Sequence, residues 1–328
     1  MGKKWLKQQL LAVVDIGGNS ISLEVRKAKS PYKKDKKLSN KIREFCGLAQ
    51  GIGKDGLIED SAQDSALETL AAIKAEIQRL KAEGYNIHTR VIGTAPFRDA
   101  KNGQAFAQRI KNEIGFEVET ISGEQEAELA GLGVLAHFPT LSGIVIDTGG
   151  GSTEFALLEN GEITHVFSLP LGMRRIASSN DPEGFIRDQL AKLPIEFHNN
   201  TPIILTGGIN RALAKAYAHA HDFKIHKYDR KGKPYEIEQA DYNSFIHQIQ
   251  IDPDLQEEFK VKSQRRGQIE TATLLIDALQ DVVGAENVIL TKANMRDGVR
   301  AQMRAALEQQ KVTVSQNQKP ESFEFSFA

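Results

Sequence analysis

Cysteine is almost absent from this chain. Cys46 is the sole one among 328 residues, which excludes any disulfide within the chain and fits a reducing compartment. Set beside Phe45, it reads as a packed thiol rather than a nucleophile. Long apolar runs are absent too, so no segment reaches the length of a membrane-spanning helix. Lys3, Lys4 and Lys7 precede only the short run Leu10–Val14, and no small-residue cleavage site follows. A signal peptide is therefore not expected, and the expected location is cytoplasmic. Net charge is nearly absent as well: at −1, no overall field attracts nucleic acid, and neither nucleic acid nor membrane is an expected partner.

What is present is a chain long enough for two domains, with 40% hydrophobic residues to fill their cores. Charge is locally uneven. Lys29, Lys33, Lys34, Lys36, Lys37 and Lys41 crowd one stretch, either a solvated loop or a surface that recruits a polyanion.

Two glycine-rich segments carry the chemistry. Val14-Asp15-Ile16-Gly17-Gly18-Asn19-Ser20 and Ile146-Asp147-Thr148-Gly149-Gly150-Gly151-Ser152-Thr153-Glu154 share one plan. An apolar run leads to Asp-x-Gly-Gly, then a small polar residue, then a second β-prone run. This predicts a strand, a tight turn and a returning strand. Glycines let backbone N–H groups approach an anion, whereas the carboxylate suits a metal ion or a water. A single Asp-x-Gly turn is usually an ordinary hairpin. Two in register, half a chain apart, predict a duplicated phosphate-binding fold holding one ligand between its halves.

Periodicity sketches the rest. Ser61–Gly84 predicts a helix with Ala66, Leu67, Leu70, Ile73, Ile77 and Leu80 on one face. Ile87–Gly93 reads as a strand, Asn102–Ile114 as a helix and Val118–Ile121 as a short strand. Ser122–Leu135 opens with a helix N-terminal signature. Pro139–Gly143 marks a seam, after which the plan repeats. Ile203–Leu205 with Thr206-Gly207-Gly208 reads as a strand-to-helix phosphate loop. Ile209–Ala220 and Ile269–Val283 read as helices, Asp229–Ile237 as a polar connection, Val288–Leu290 as a strand and Arg296–Leu307 as a closing helix. The tail from Lys311, with Phe323, Phe325 and Phe327, is expected to be disordered or to add to a sheet edge. His219, His221 and His226 have no partners at metal-ligand spacing.

Five segments in order resemble the exopolyphosphatase and guanosine pentaphosphate phosphatase family, a branch of the actin, sugar kinase and Hsp70 superfamily. They are Asp15–Ser20; Gly93-Thr94 with Arg98; Ile121-Ser122-Gly123-Glu124-Gln125-Glu126-Ala127; Asp147–Glu154; and Met295-Arg296-Asp297-Gly298. The Ser-Gly-x-x-Glu-Ala segment beside Asp-x-Gly-Gly-Gly-Ser-Thr-Glu is the specific pair. The resemblance implies an α/β fold of two actin-like (ribonuclease H-like) domains with an active-site cleft between them, in the short two-domain form. The expected division is 1–135 plus 297–310, then 136–296, then the 311–328 tail.

The resemblance also implies roles. Glu126 corresponds to the acid that activates water; on the residues alone, Glu124 and Glu128 are equal candidates, or Glu126 merely caps its helix. Asp15, Asp147 and Glu154 correspond to cleft acids that hold Mg²⁺ together with substrate phosphates. Arg98 corresponds to a phosphate-binding arginine, and Asn19, Ser20, Gly150, Gly151 and Ser152 to donors for the terminal phosphate. Three positions depart from the pattern: Thr148 replaces Ile or Val, Gln50 replaces an acid, and Arg43 is the nearest match to a basic residue. The implied activity is hydrolysis of inorganic polyphosphate from its end. The alternatives are guanosine pentaphosphate or a nucleoside triphosphate as substrate, a weakly active regulatory protein that binds nucleotide or polyphosphate, and, more remotely, a sugar kinase. A homodimer is implied by resemblance alone.

Overall fold

A computed structural model describes residues 9–29, 38, 42–49, 52 and 55–316. Eleven strands among these form two sheets. The first contains β1 (Gln9–Ile16), β2 (Ile21–Lys27), β3 (Arg43–Glu44), β4 (Asn86–Gly93) and β5 (Glu119–Thr120), in the order β3-β2-β1-β4-β5. The second contains β6 (Gly143–Thr148), β7 (Thr153–Glu159), β8 (Glu162–Leu169), β9 (Ile203–Gly207), β10 (Tyr235–Glu238) and β11 (Asn287–Leu290), in the order β10-β11-β9-β6-β7-β8.

The two sheets follow one plan. β1 pairs antiparallel with β2 and parallel with β4; β6 pairs antiparallel with β7 and parallel with β9. Register makes the equivalence residue by residue. Asp15 lies between Ser22 and Ile92, and Asp147 between Glu154 and Thr206. The duplication expected from the two glycine-rich turns is thus present in the strand pairing, and the chain is α/β as expected.

Central strands have two buried faces, so they read as unbroken apolar runs rather than alternating ones. Leu10, Ala12, Val14 and Ile16 pack outward against the helix Asp60–Ala82, where Ala66, Leu67, Leu70, Ile73, Ile77 and Leu80 are all buried. Leu11 and Val13 pack inward against Met295, Val299, Met303 and Leu307 of the closing helix and Leu129 of the helix Gly123–Leu135. Ala130 and Val134, on that same helix, pack against Val145, Ala156 and Ile204 of the second sheet. The Gly123–Leu135 helix is therefore wedged between the closing helix and the second sheet. Its first turn sits where the two halves meet.

Several elements differ from the expectations. A short helix, Ala95–Asp99, intervenes after β4. The second half carries a further strand, β8, which pairs antiparallel with β7 as β3 does with β2 and is entered through Asn160 and Gly161, both at positive φ. The polar connection Asp229–Ile237 contains part of β10, which pairs antiparallel with β11. Further helices occupy Gln239–Ile251, Pro253–Glu258 and Ser263–Arg266. The closing helix runs Met295–Gln316, past the expected end at Leu307 and into the stretch expected to be a disordered tail. Lys33, Lys34, Lys36, Lys37 and Lys41, Gln50, and Phe323, Phe325 and Phe327 lie outside the described residues. Cys46 is buried, its thiol 3.3 Å from Thr69 Oγ1, as expected of a packed thiol.

Candidate active site

The two glycine-rich turns face each other across one cleft. Each closes the same way: Gly17 N donates to Ser20 O at 3.1 Å, and Gly149 N to Ser152 O at 2.9 Å. Asn19 of the first turn lies directly against Gly150 of the second, where an added Cβ would sit 3.3 Å from Nδ2. A Cβ on Gly18 would meet that of Ala49 at 2.8 Å, and one on Gly172 would run into the backbone of Gly150 and Gly151. These glycines are required for close approach. None of the turn glycines has a positive φ.

The turn carbonyls are occupied. Gly18 O accepts from Ala49 N, Gly149 O from Met173 N, Gly150 O from Arg174 N and Gly151 O from Arg175 Nε. The amides of Gly18, Asn19, Gly150 and Gly151 have no hydrogen-bond partner among the described residues, and all four residues line the cleft. Free N–H groups from two facing turns form a cradle for an anion.

Glu126 enters this cleft from the first turn of the Gly123–Leu135 helix. A capping box fixes that helix start: Ser122 Oγ accepts from Gln125 N at 3.1 Å, and Gln125 Oε1 accepts from Ser122 N at 2.7 Å. Glu124 and Glu128 are exposed, so among the three candidates Glu126 is the one that faces the cleft. Arg98 Nη1 donates to Glu126 Oε2 at 3.0 Å and to Ile121 O at 2.9 Å. Burial pushes the Glu126 carboxyl up to about 7; Arg98 opposes this, while Asp147 and Asp15 add to it. Arg98 is thus engaged with Glu126 and is not in the cleft lining.

The three acids expected to hold a metal are placed differently from one another. Asp15 and Asp147 line the cleft, whereas Glu154 lies beneath it at 2% exposure. Burial and the neighbouring Glu126 raise the Glu154 carboxyl well above its usual range, and Ser168 Oγ donates to it at 3.2 Å. Asp147 is also raised by burial, with Arg211 opposing. Asp15 Oδ2 is ion-paired with Arg296 Nη1 at 2.7 Å. No cluster of three metal-ligating side chains occurs among the described residues. The pair Asp15 and Asp147 fits a cation that takes one or two carboxylates and completes its shell with water and phosphate oxygens, which is how Mg²⁺ binds.

Four arginines from four elements also line the cleft: Arg43, Arg211, Arg265 and Arg296. Sequence reasoning noted Arg43 as the nearest match to a basic residue and Arg296 within a family-like segment, and did not single out Arg211 or Arg265. Arg43 Nη2 donates to Ser20 Oγ at 3.3 Å. Arg296 also donates to Ser22 Oγ at 3.1 Å and pairs with Glu24. Burial disfavours an ionised Glu24, but Arg296, Arg300 and Arg26 outweigh it and hold the carboxyl far below its usual range. Thr148, an unusual polar choice, is buried with its hydroxyl 3.2 Å from Asn210 Nδ2, which also donates to Thr206 O at 2.8 Å.

The comparisons with known proteins agree with this geometry. The profile of the Ppx/GppA phosphatase family matches residues 37–306. A guanosine-5'-triphosphate,3'-diphosphate pyrophosphatase from Vibrio vulnificus is 34% identical over 166 residues, 50% of this chain and 32% of that protein. One from Photobacterium profundum is 31% identical over the same extent. The chain thus spans about a third of the length of these relatives. An exopolyphosphatase from Cytophaga hutchinsonii superimposes with a TM-score of 0.75 at 25% identity, covering 91% of this chain and 98% of that one. The Aquifex aeolicus Ppx/GppA member superimposes at 0.70 with 21% identity, covering 92% and 98%. Two facing glycine turns, an acid on the wedged helix and a family match over most of the chain lead to one conclusion: the protein belongs to the Ppx/GppA phosphatase family.

Proposed function

We propose that the protein is an exopolyphosphatase that releases terminal orthophosphate from inorganic polyphosphate by attack of water. The observation that carries this reading is the cradle of free amides from Gly18, Asn19, Gly150 and Gly151 in the cleft that Glu126 enters. Ser20 and Ser152 add hydroxyls to the same walls. A terminal phosphoryl group seated there presents its phosphorus to a water held by Glu126.

In the step itself, the water oxygen bonds to phosphorus as the bond from phosphorus to the bridging oxygen breaks. Glu126 takes the proton, orthophosphate leaves from one side, and the shortened chain departs from the other. Arg98 supports the ionised form of Glu126 and holds its carboxylate in place. Mg²⁺, held by Asp147 and Asp15, would neutralise phosphate charge. Glu154 beneath them supports the floor of the site rather than its lining.

The domain division follows the same reading: residues 1–135 with 297–310 on one side of the cleft and 136–296 on the other. It is supported by the closing helix, which packs against β1. The names of the Vibrio and Photobacterium relatives favour a second reading, with guanosine pentaphosphate as substrate. A cytoplasmic setting and a homodimer belong to this proposal as well. Phosphate release from polyphosphate, guanosine pentaphosphate and ATP, measured side by side for the wild type and Glu126→Gln, tests it. Release from polyphosphate that vanishes in the variant supports the first reading, release from guanosine pentaphosphate alone the second. No release from any of the three refutes both.

A further inference from the structure

Arg211 is the least explained charged group in the cleft. It stands in the first turn of the helix Asn210–Ala220, directly after the Thr206-Gly207-Gly208 turn. It lines the cleft, yet its guanidinium makes no hydrogen bond or close ion pair with any described residue. Arg43, Arg265 and Arg296 are different, since each is tied to a neighbour: Ser20, Gln268, and Asp15 with Ser22, respectively. A guanidinium that is desolvated and left unpaired is costly unless an anion completes it.

The surroundings of Arg211 are cationic on one side. Burial, with Arg296 and Arg43 adding to it, lowers its pKa to about 10, while Glu24 and Asp147 partly compensate. Lys215, exposed one helical turn further on, lies within electrostatic reach of Arg211, Lys292, Lys262 and Arg43. Lys292 follows β11, and the acid beside it, Asp229, is already engaged by Thr291 Oγ1 and the Lys292 amide. Positive charge therefore continues from the cleft along one side of this helix.

Building on the exopolyphosphatase reading, we propose that Arg211, backed by Lys215 and Lys292, forms a leaving-group subsite that binds the second and third phosphates of an unbranched polyphosphate. The terminal phosphate is held by neutral amides, which suit a group that must be released after each turnover. The remaining phosphates are held by cations, which suit a leaving group that carries its charge away from the cleft. Discrimination then rests on the number of linked phosphates rather than on a base.

The test compares two inorganic ligands on a protein that does not consume them. Orthophosphate and tripolyphosphate are titrated by calorimetry into Glu126→Gln, and into the same protein carrying Arg211→Ala or Lys215→Ser. Hydrogen bonds to charged groups correspond to about 10–100-fold in affinity. Arg211→Ala should weaken tripolyphosphate by that factor, and Lys215→Ser by about 2–5-fold, an effect that shrinks with added salt. Both should leave orthophosphate within about twofold. Equal weakening of the two ligands would mean that Arg211 only shapes the terminal site, and would overturn the proposal. Unchanged tripolyphosphate affinity, or no tripolyphosphate binding to the parent, would overturn it as well. Lys215 is exposed, so its variant keeps the comparison decisive if Arg211→Ala does not fold. Turnover is not read in this experiment. A wild type that releases no phosphate would refute the hydrolase reading and leave this binding result to stand or fall by itself.

Discussion

Replacing Glu126 by Gln should make the protein more stable at alkaline pH while stopping turnover. Burial of the carboxyl, reinforced by Asp147 and Asp15 and opposed by Arg98, raises it from 4.5 to about 7. The folded state therefore holds a proton that the unfolded chain has already released between these two values. The sign follows: this stabilisation is fully present below pH 4.5 and is lost as pH rises through 7. The gap corresponds to about 3 kcal/mol, of which about 2–3 kcal/mol falls between pH 5 and pH 8. Gln keeps an oxygen for Arg98 and mimics the neutral acid, so it removes this loss. It also removes the repulsion felt by Glu154. Urea unfolding followed by far-UV circular dichroism at pH 5, 6, 7 and 8 reads the difference directly. The variant should gain on the wild type steadily across that range. Its turnover should fall by about 10²–10⁴-fold, the usual contribution of a general base. Parallel stability curves for the two proteins from pH 5 to 8 would refute the raised pKa. Wild-type turnover in the variant would refute the role of base.

Other perturbations follow from the same geometry. Gly207→Ala places a methyl group 2.7 Å from Asp147 Oδ1 at a backbone with φ of +91°; it should cost about 1–3 kcal/mol in urea unfolding and lower activity with it. Asp147→Ala should fold, because its carboxylate faces the cleft, and should shift the magnesium titration of phosphate release; an unchanged titration removes Asp147 from the metal site. Arg296→Met leaves Asp15 and Glu24 without a shared cation and should cost about 3–5 kcal/mol in thermal or urea unfolding. By contrast, Arg175→Ala breaks the half-exposed pair with Asp99 and the hydrogen bond to Gly151 O, and should cost about 1–2 kcal/mol in the same assay.

The parts of the fold legible in the sequence are those whose side chains meet two buried faces or one continuous stripe. β1, β6 and β9 read as apolar runs, and the Asp60–Ala82 helix reads as a stripe, because packing there depends on each residue. β8 and β10 escaped because they lie at sheet edges. Burial alternates poorly along β8, β10 is only four residues long, and Glu162, His165, Glu236 and Glu238 meet solvent, so local composition resembles a loop. Tyr235-Glu236-Ile237-Glu238 does carry a period of two, the signal that would have found β10. At the site, motif residues were legible because glycine and acid are tied to one turn. The arginines were not, because Arg43, Arg211, Arg265 and Arg296 come from four separate elements and converge only in space. Arg43 and Arg296 left a trace as parts of family-like segments, and Arg211 offered one as an arginine in the first turn of a helix that follows Thr-Gly-Gly.

Duplication explains the scaffold, and departures from it explain the chemistry. Asp15 and Asp147 occupy equivalent strand positions, yet their cross-strand neighbours differ: Ser22 beside one and Glu154 beside the other. The first half can therefore accept Arg296 against Asp15 and Ser22, and the closing helix is fastened there by Glu24, Asp297 and Arg300. The second half keeps an acid beneath Asp147 and, among the described residues, no arginine hydrogen-bonded to it, so that carboxylate faces the cleft with only the Thr206 hydroxyl beside it. What couples the halves is the helix bearing Glu126. Gly133 and Gly298 let it touch the closing helix backbone to backbone, with Gly298 against Leu129 O and Gly133 against Asn294 O. A side chain at either glycine would push these helices apart. The same displacement would move Arg296 away from Asp15 and Glu126 away from the phosphate cradle, so one close helix crossing sets both sides of the site.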